Sequence, residues 1–222
     1  MTFGIIGEGN SDQAVVERIL MGFFNDPDLL ATPLHPVKNA QSGWNRVCKY
    51  VASDEFRGTF SRVDFIVIQM DSDIFLSGRV KQFSHDLNGK TIEQTVVAIR
   101  DFLIEEMTED VYEEKGNRIV FAISVNCVEC WFVPIYYENV SNIQFETDDC
   151  LKTLRPHLLA KHRFVLTKKK KAVRRYEKIS EAFLVKEDLT RYSEANPSLS
   201  IFLSELEEKT RTLEPDLIEP AP

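Results

Sequence analysis

Three short apolar runs, separated by stretches of helical periodicity, constrain the fold of this chain more than any other feature. Phe3-Gly4-Ile5-Ile6, Val63 to Met70, and Ile119-Val120-Phe121-Ala122-Ile123 read as buried strands. Between them, Val15, Val16, Ile19, Leu20 and Phe23 form one helical face within residues 11–24. Ile92, Val96, Ile99, Phe102 and Leu103 form another between Thr91 and Glu109, and a further helix is expected over 44–55. Asn10 with Gln13, or Ser11, is placed to cap the first helix. Alternation of strand and helix predicts an α/β domain with a largely parallel sheet. Pro27, Pro33 and Pro36 interrupt the chain after the first helix, and the stretch 72–90, with Gly78 and Gly89, reads as a long loop.

The pattern changes near residue 145. Helices are expected at 148–161, 168–184, 186–195 and 198–209, with Phe164-Val165-Leu166 as a further strand candidate. The expected organisation is an α/β domain over 1–145, a helical part packed on it over 146–210, and a loosely docked, acid- and proline-rich tail over 211–222. A chain of 222 residues with 43% hydrophobic content has material for one sizeable core. No apolar run reaches the roughly 20 residues that span a bilayer. The first residues run directly into a strand and show no secretion signal, so a cytoplasmic protein is expected.

Each apolar run is followed by carboxylates: Glu8 within Gly7-Glu8-Gly9, the pair Asp71-Ser72-Asp73, and Glu129 before Trp131. Acids at the carboxyl ends of parallel strands are where an α/β sheet builds a site. Glycines on both sides of Glu8 allow a tight strand-to-helix turn with unusual dihedrals. Glu8 is then a metal ligand or a general acid/base, or else an acid that favours the helix N-terminus. Asp12 belongs to the same turn and to the helix entry. Residues i and i+2 of an extended segment project to one side, so Asp71 and Asp73 can meet one cation; the alternative is a polar loop. Glu129, inside an apolar stretch, needs a partner or a nearby cation. Oxygen ligands of this kind suit Mg2+ or Mn2+ rather than zinc.

The four cysteines, Cys48, Cys127, Cys130 and Cys150, are expected as reduced thiols. Cys127 and Cys130 have C-x-x-C spacing without the second pair of a structural zinc site. His157 and His162, five apart, would leave a helix on different faces. A net charge of −8 argues against a broadly basic coat. Within it, Lys168 to Lys171 with Arg174, Arg175 and Lys178 form a basic run. Lys169, Lys170, Arg174 and Lys178 are candidates for phosphate contacts, against the alternative of a solvated helix face. Tyr176 reads as a core anchor.

The order of these motifs resembles the Toprim catalytic domain, found in topoisomerases, primases and overcoming-lysogenization-defect nucleases. It is more similar to a family of uncharacterised bacterial Toprim-like proteins. Glu8-Gly9-Asn10-Ser11-Asp12 matches that family's opening motif, Asp71-Ser72-Asp73 its Asp-x-Asp, and Glu129-Cys130-Trp131 its Glu-Ala-Trp element. Tyr176-Glu177-Lys178 and Asn196-Pro197-Ser198-Leu199 match its C-terminal signatures. The resemblance spans residues 3–206. It departs from the pattern at Cys130, where the family has a small Ala, and in the length of the loop after Asp73.

The resemblance implies a Toprim-like sheet flanked by helices, with a helical C-terminal extension. It also implies a metal-dependent nuclease in which Glu8, Asp71 and Asp73 serve Mg2+ or Mn2+, with Asp12 and Glu129 around them. Nucleic acid is the expected substrate, and phage defence beside a separate ATPase the expected setting. The chain lacks a G-x-x-x-x-G-K-[ST] loop for hydrolysing ATP itself. A non-catalytic Toprim-like module that binds nucleic acid or a protein is the alternative. Oligomeric state is not legible.

Overall fold

In the computed structural model, the residues described are 1–37, 40–78, 80, 81, 83, 87, 89–137, 149–167 and 172–212. The strands are β1 (Thr2–Ile6), β2 (Leu30–His35), β3 (Phe65–Asp71) and β4 (Ile119–Ser124). They form a four-stranded, all-parallel sheet in the order β2-β1-β3-β4. Every residue of β3 and β4 is buried, which explains why both read as unbroken apolar runs.

β2 contradicts the expectation that prolines break this stretch. Pro33 lies within the strand opposite Ile5. It is tolerated because β2 is half exposed and, among the described residues, an edge strand with one neighbour to satisfy.

Among the described residues, ten α-helices surround the sheet. The first six are α1 (Asn10–Phe24), α2 (Trp44–Val51), α3 (Asp54–Thr59), α4 (Asp73–Leu76), α5 (Ile92–Glu106) and α6 (Glu109–Lys115). The C-terminal four are α7 (Cys150–His162), α8 (Val173–Ser180), α9 (Lys186–Glu194) and α10 (Pro197–Arg211). The helix expected over 44–55 is two, because Ser53 takes an extended backbone and its side chain accepts the Phe56 N–H, capping α3. Thr91 and Gln94 form a reciprocal capping box that starts α5. α1 begins at Asn10 after an extended Gly9, with no side-chain cap; Asn10 instead donates to Gln13 Oε1 at 2.9 Å and to the Pro36 carbonyl at 3.1 Å. Phe164-Val165-Leu166 is not a strand. The tail from residue 213 and the lysines 168–171 lie outside the described residues.

The two faces of the sheet carry two cores. One gathers Phe3, Ile5, Phe65 and Val120 with α1 and the C-terminal helices, including Trp131, Tyr176, Phe183, Leu199 and Phe202. The other gathers Ile66, Ile68, Phe121 and Ile123 with α2, α3 and α5. Alternate residues of each strand thus enter opposite cores. The outer edge of β4 is closed by α10. Glu205 accepts the Phe121 N–H at 3.3 Å, and Lys209 donates to the Ile119 carbonyl. Among the described residues, no helix is long and apolar enough to cross a membrane.

Candidate functional site

The strand order reverses between β1 and β3. From β1 the chain moves outward to β2, then returns to lay β3 on the other side. Loops diverging from two such neighbours leave a crevice at their carboxyl ends, where open α/β sheets place ligands. Glu8 stands just beyond β1, and Asp71 closes β3.

The two residues meet there. The Asp71 N–H donates to Glu8 Oε1 at 2.9 Å, and the Glu8 N–H donates to Gln69 Oε1 at 3.3 Å. Gln69, fully buried on β3, donates from Nε2 to Asp71 Oδ1 at 2.8 Å. That oxygen also accepts from Ser124 Oγ at 2.5 Å and from the Val128 N–H at 3.0 Å. Asp71 is 5% exposed, so its carboxylate is held by donors from β3, from β4 and from the turn after β4.

Asp73 departs from the expected arrangement. The projection of Asp71 and Asp73 to one side required an extended backbone between them. Ser72 is helical (φ −82°, ψ −13°), and the chain turns into α4 at Asp73. The Asp73 N–H bonds the Asn126 carbonyl at 3.0 Å, and the Asn126 N–H bonds Ser72 Oγ at 2.7 Å, lacing the loops after β3 and β4 together. Among the described residues, no group of three or more His, Cys, Asp or Glu side chains is arranged to hold a metal ion.

Gly7 and Gly9 do not take the unusual dihedrals expected of them. Neither is among the described residues with positive φ, and Gly9 is extended at φ −159°. Space is tighter only at Gly9, where a Cβ would stand 3.2 Å from Asp12 Oδ2; on Gly7 it would make ordinary contact with Gln69 Oε1 at 3.4 Å. Asp12 itself is buried in the first turn of α1, with Ser11 Oγ 3.4 Å from its Oδ1.

Glu129 lies 2% exposed in the 3-10 segment Val128–Ile135 and accepts the hydroxyl of Tyr176, which is fully buried on α8. Tyr176 is the core anchor expected. Trp131 Nε1 donates to Ser198 Oγ at 2.8 Å, and Asn196 Nδ2 donates to the Cys130 carbonyl at 3.3 Å. The two C-terminal motifs therefore both contact Glu129-Cys130-Trp131, in the segment that also supplies the Val128 N–H to Asp71.

The expectation of reduced thiols is corrected. Cys130 and Cys150 form a disulfide, because α7 returns to pack on Val128–Ile135 and brings together sulfurs that are 20 residues apart in sequence. Cys48 and Cys127 are buried and lie outside this disulfide, with Cys127 Sγ 3.9 Å from Cys130 Sγ. Burial pushes the Cys48 thiol up to about 12, and the charges of Glu106 and Glu8 add to this. His157 and His162, expected on different faces, both reach Tyr136: His157 stacks on its ring and His162 Nε2 lies 3.0 Å from its hydroxyl.

Of the basic candidates, Arg174 and Lys178 lie exposed on α8, and Lys178 pairs with Glu181 at 2.5 Å. Lys169 and Lys170 lie outside the described residues.

Sequence reasoning missed Gln69, Ser124 and the Val128 amide. Gln69 had a signal: a lone amide in an apolar run, two residues before Asp71 and so on the same face of the strand. His35 was also missed. It ends β2, accepts the Gly7 N–H at its carbonyl, and stacks on Tyr50 at 4.8 Å. Its Nε2 is buried without a hydrogen-bond partner among the described residues. Comparison with protein-family models, with curated proteins and with solved structures finds no match.

Proposed function

We propose that this chain is a metal-dependent nuclease of Toprim-like type, cleaving phosphodiester bonds at the carboxyl edge of β1 and β3. One observation carries the reading: Glu8 and the end of β3 at Asp71 are hydrogen-bonded to each other at the point where the strand order reverses. The contact among Glu129-Cys130-Trp131, Tyr176 and Asn196-Pro197-Ser198 supports it, since these are the elements on which the Toprim-like resemblance rests.

The residues fit magnesium or manganese. Such ions take hard oxygens and need only one or two protein carboxylates, with water and substrate phosphate completing the shell. Glu8 and Asp71 would supply these, with Asp73 entering from the start of α4. The ion would offset charge on the phosphodiester and make a bound water more acidic. Glu8 is half-buried beside Asp71, and serves either as a ligand or as the group that moves the proton. Asp12, from α1, and Glu129, from the turn after β4, would support the site without holding the ion in this reading. Arg174, Lys178, Lys169 and Lys170 would contact substrate phosphates without reading sequence. A cytoplasmic setting in phage defence, beside a separate ATPase, belongs to the same reading.

The second reading is a binding module without catalysis. It is favoured by the three donors already on Asp71 Oδ1 and by the lack of a preassembled three-residue metal group among the described residues. Asp71→Asn separates the two. A nuclease should lose more than roughly a hundredfold of its Mg2+-dependent cleavage with the fold intact, beyond what loss of a ligand's supporting group costs. A binding module shows no metal-dependent cleavage in either form. Equal cleavage by both preparations would place the activity elsewhere.

A further inference from the structure

Gln69 bonds both to the main chain of Glu8 and to the carboxylate of Asp71. Its orientation is fixed by chemistry. The Glu8 N–H can only donate, so the amide oxygen must face it; Asp71 Oδ1 accepts, so the amide nitrogen must face that. We propose that Gln69 is a positioning residue that locks the Glu8 turn and the Asp71 carboxylate into one arrangement, and so sets how well the pair receives a divalent ion. The inference rests on the nuclease reading for what the pair receives, but not for the tether itself.

Three features make the tether more than ordinary core satisfaction. Gln69 is fully buried in the middle of a strand that is otherwise apolar up to Met70, where an amide is costly unless both its ends are used. Both ends are spent on residues of the same edge. Its Nε2 also lies 3.5 Å from Ser124 Oγ, which is itself bonded to Asp71, so three neighbouring elements are tied at one carboxylate. Rigid placement of a ligand by a hydrogen-bonded neighbour is worth roughly 10- to 100-fold in metal affinity.

The test uses the full chain, metal-free, with Gln69→Met and Gln69→Glu. Amide hydrogen exchange reads the tether directly. In Q69M the Glu8 amide, which loses its acceptor, should exchange roughly five- to tenfold faster, and the Asp71 amide, held by Glu8 Oε1, should follow as the Glu8 turn loosens. The amides of Val67 and Val120 should keep their rates. Q69E retains an acceptor for the Glu8 N–H but sets a second negative charge against Asp71. Both amides should therefore stay protected in Q69E, since the Glu8 N–H keeps an acceptor and the Asp71 N–H keeps Glu8 Oε1, a contrast with Q69M that loss of packing would not give. Mn2+ titration of Q69M should show a dissociation constant raised roughly 10- to 100-fold over wild type.

Unchanged exchange at both amides in Q69M, or wild-type Mn2+ affinity in Q69M, would overturn the proposal. Should Q69M unfold, Q69E decides it: protected Glu8 and Asp71 amides support the tether, and a faster-exchanging Glu8 amide overturns it. If wild type binds no Mn2+, the nuclease reading fails, and the exchange rates alone support or overturn the tether.

Discussion

The meeting of Glu8 and Asp71 follows from one strand register. Ile6 pairs with Ile68 across β1 and β3, so two residues further on Glu8 stands level with the end of β3, and its carboxylate reaches the Asp71 N–H. Both residues stood out in the sequence as acids that terminate apolar strands, although a helix-entry acid and a polar loop were equally open readings of them. The Asp71–Asp73 geometry was not legible. Spacing alone cannot show that Ser72 turns helical, since that depends on Asn126 across the loop. His35 offers a residue-scale test. Burial holds its imidazole below the ordinary value of 6.5, with Arg46 adding to this and Glu55 opposing it. Its stabilising contribution is thus present above about pH 6.5 and is lost as the pH falls, because the unfolded chain takes up the proton first. His35→Phe should flatten the fall in melting temperature below that pH; an unchanged acid limb would contradict the assignment. For Cys48 the window lies at the other end. The thiol is raised from 9.0 to about 12, so its contribution is present below pH 9 and lost as the pH rises. Native protein at pH 8 should leave Cys48 unalkylated by iodoacetamide, as mass spectrometry would show.

At the scale of elements, the helices and strands with a strong period were readable, and those made by tertiary contact were not. β1, β3, β4, α1 and α5 carried their own patterns. β2 did not, because a proline-bearing edge strand is selected by its neighbour rather than by propensity. The disulfide was missed for a similar reason: only the return of α7 makes Cys130 and Cys150 neighbours. Two contacts can be tested here. α1 approaches the segment Glu181–Leu184 so closely that a Cβ on Gly22 would stand 1.8 Å from the Phe183 carbonyl oxygen. Gly22→Ala should therefore destabilise by about 1–3 kcal/mol through overpacking, although it raises helix propensity; a stabilised variant in a denaturant titration would refute the close approach. The Glu205–Lys209 pair, 2.7 Å apart, occupies the edge of β4. Replacing both with Ala should cost about 1–3 kcal/mol, because edge amides and carbonyls lose their partners where the helix still excludes water.

At the scale of the molecule, the C-terminal helices are part of the same core as the sheet. Trp131 stacks on Phe202 at 5.8 Å, and residues of β1, α1, α8 and α10 share one cluster. Thermal unfolding should therefore be one transition, with Trp fluorescence and far-UV circular dichroism coincident. α8 turns Tyr176 inward to Glu129 and leaves Arg174 and Lys178 exposed on its outer side, where the proposed reading has them meet substrate phosphates. Changing Lys169, Lys170 and Arg174 to Ala should weaken nucleic-acid binding and flatten its salt dependence, as fewer counterions are released. The most direct test of the central claim is cleavage of single- and double-stranded DNA and RNA by purified wild type and Asp71→Asn, in Mg2+, in Mn2+ and in EDTA. The account predicts cleavage by wild type with either metal, none in EDTA, and a loss of more than roughly a hundredfold in the variant with its melting transition retained. Cleavage that persists in EDTA, or that Asp71→Asn retains in full, would contradict it.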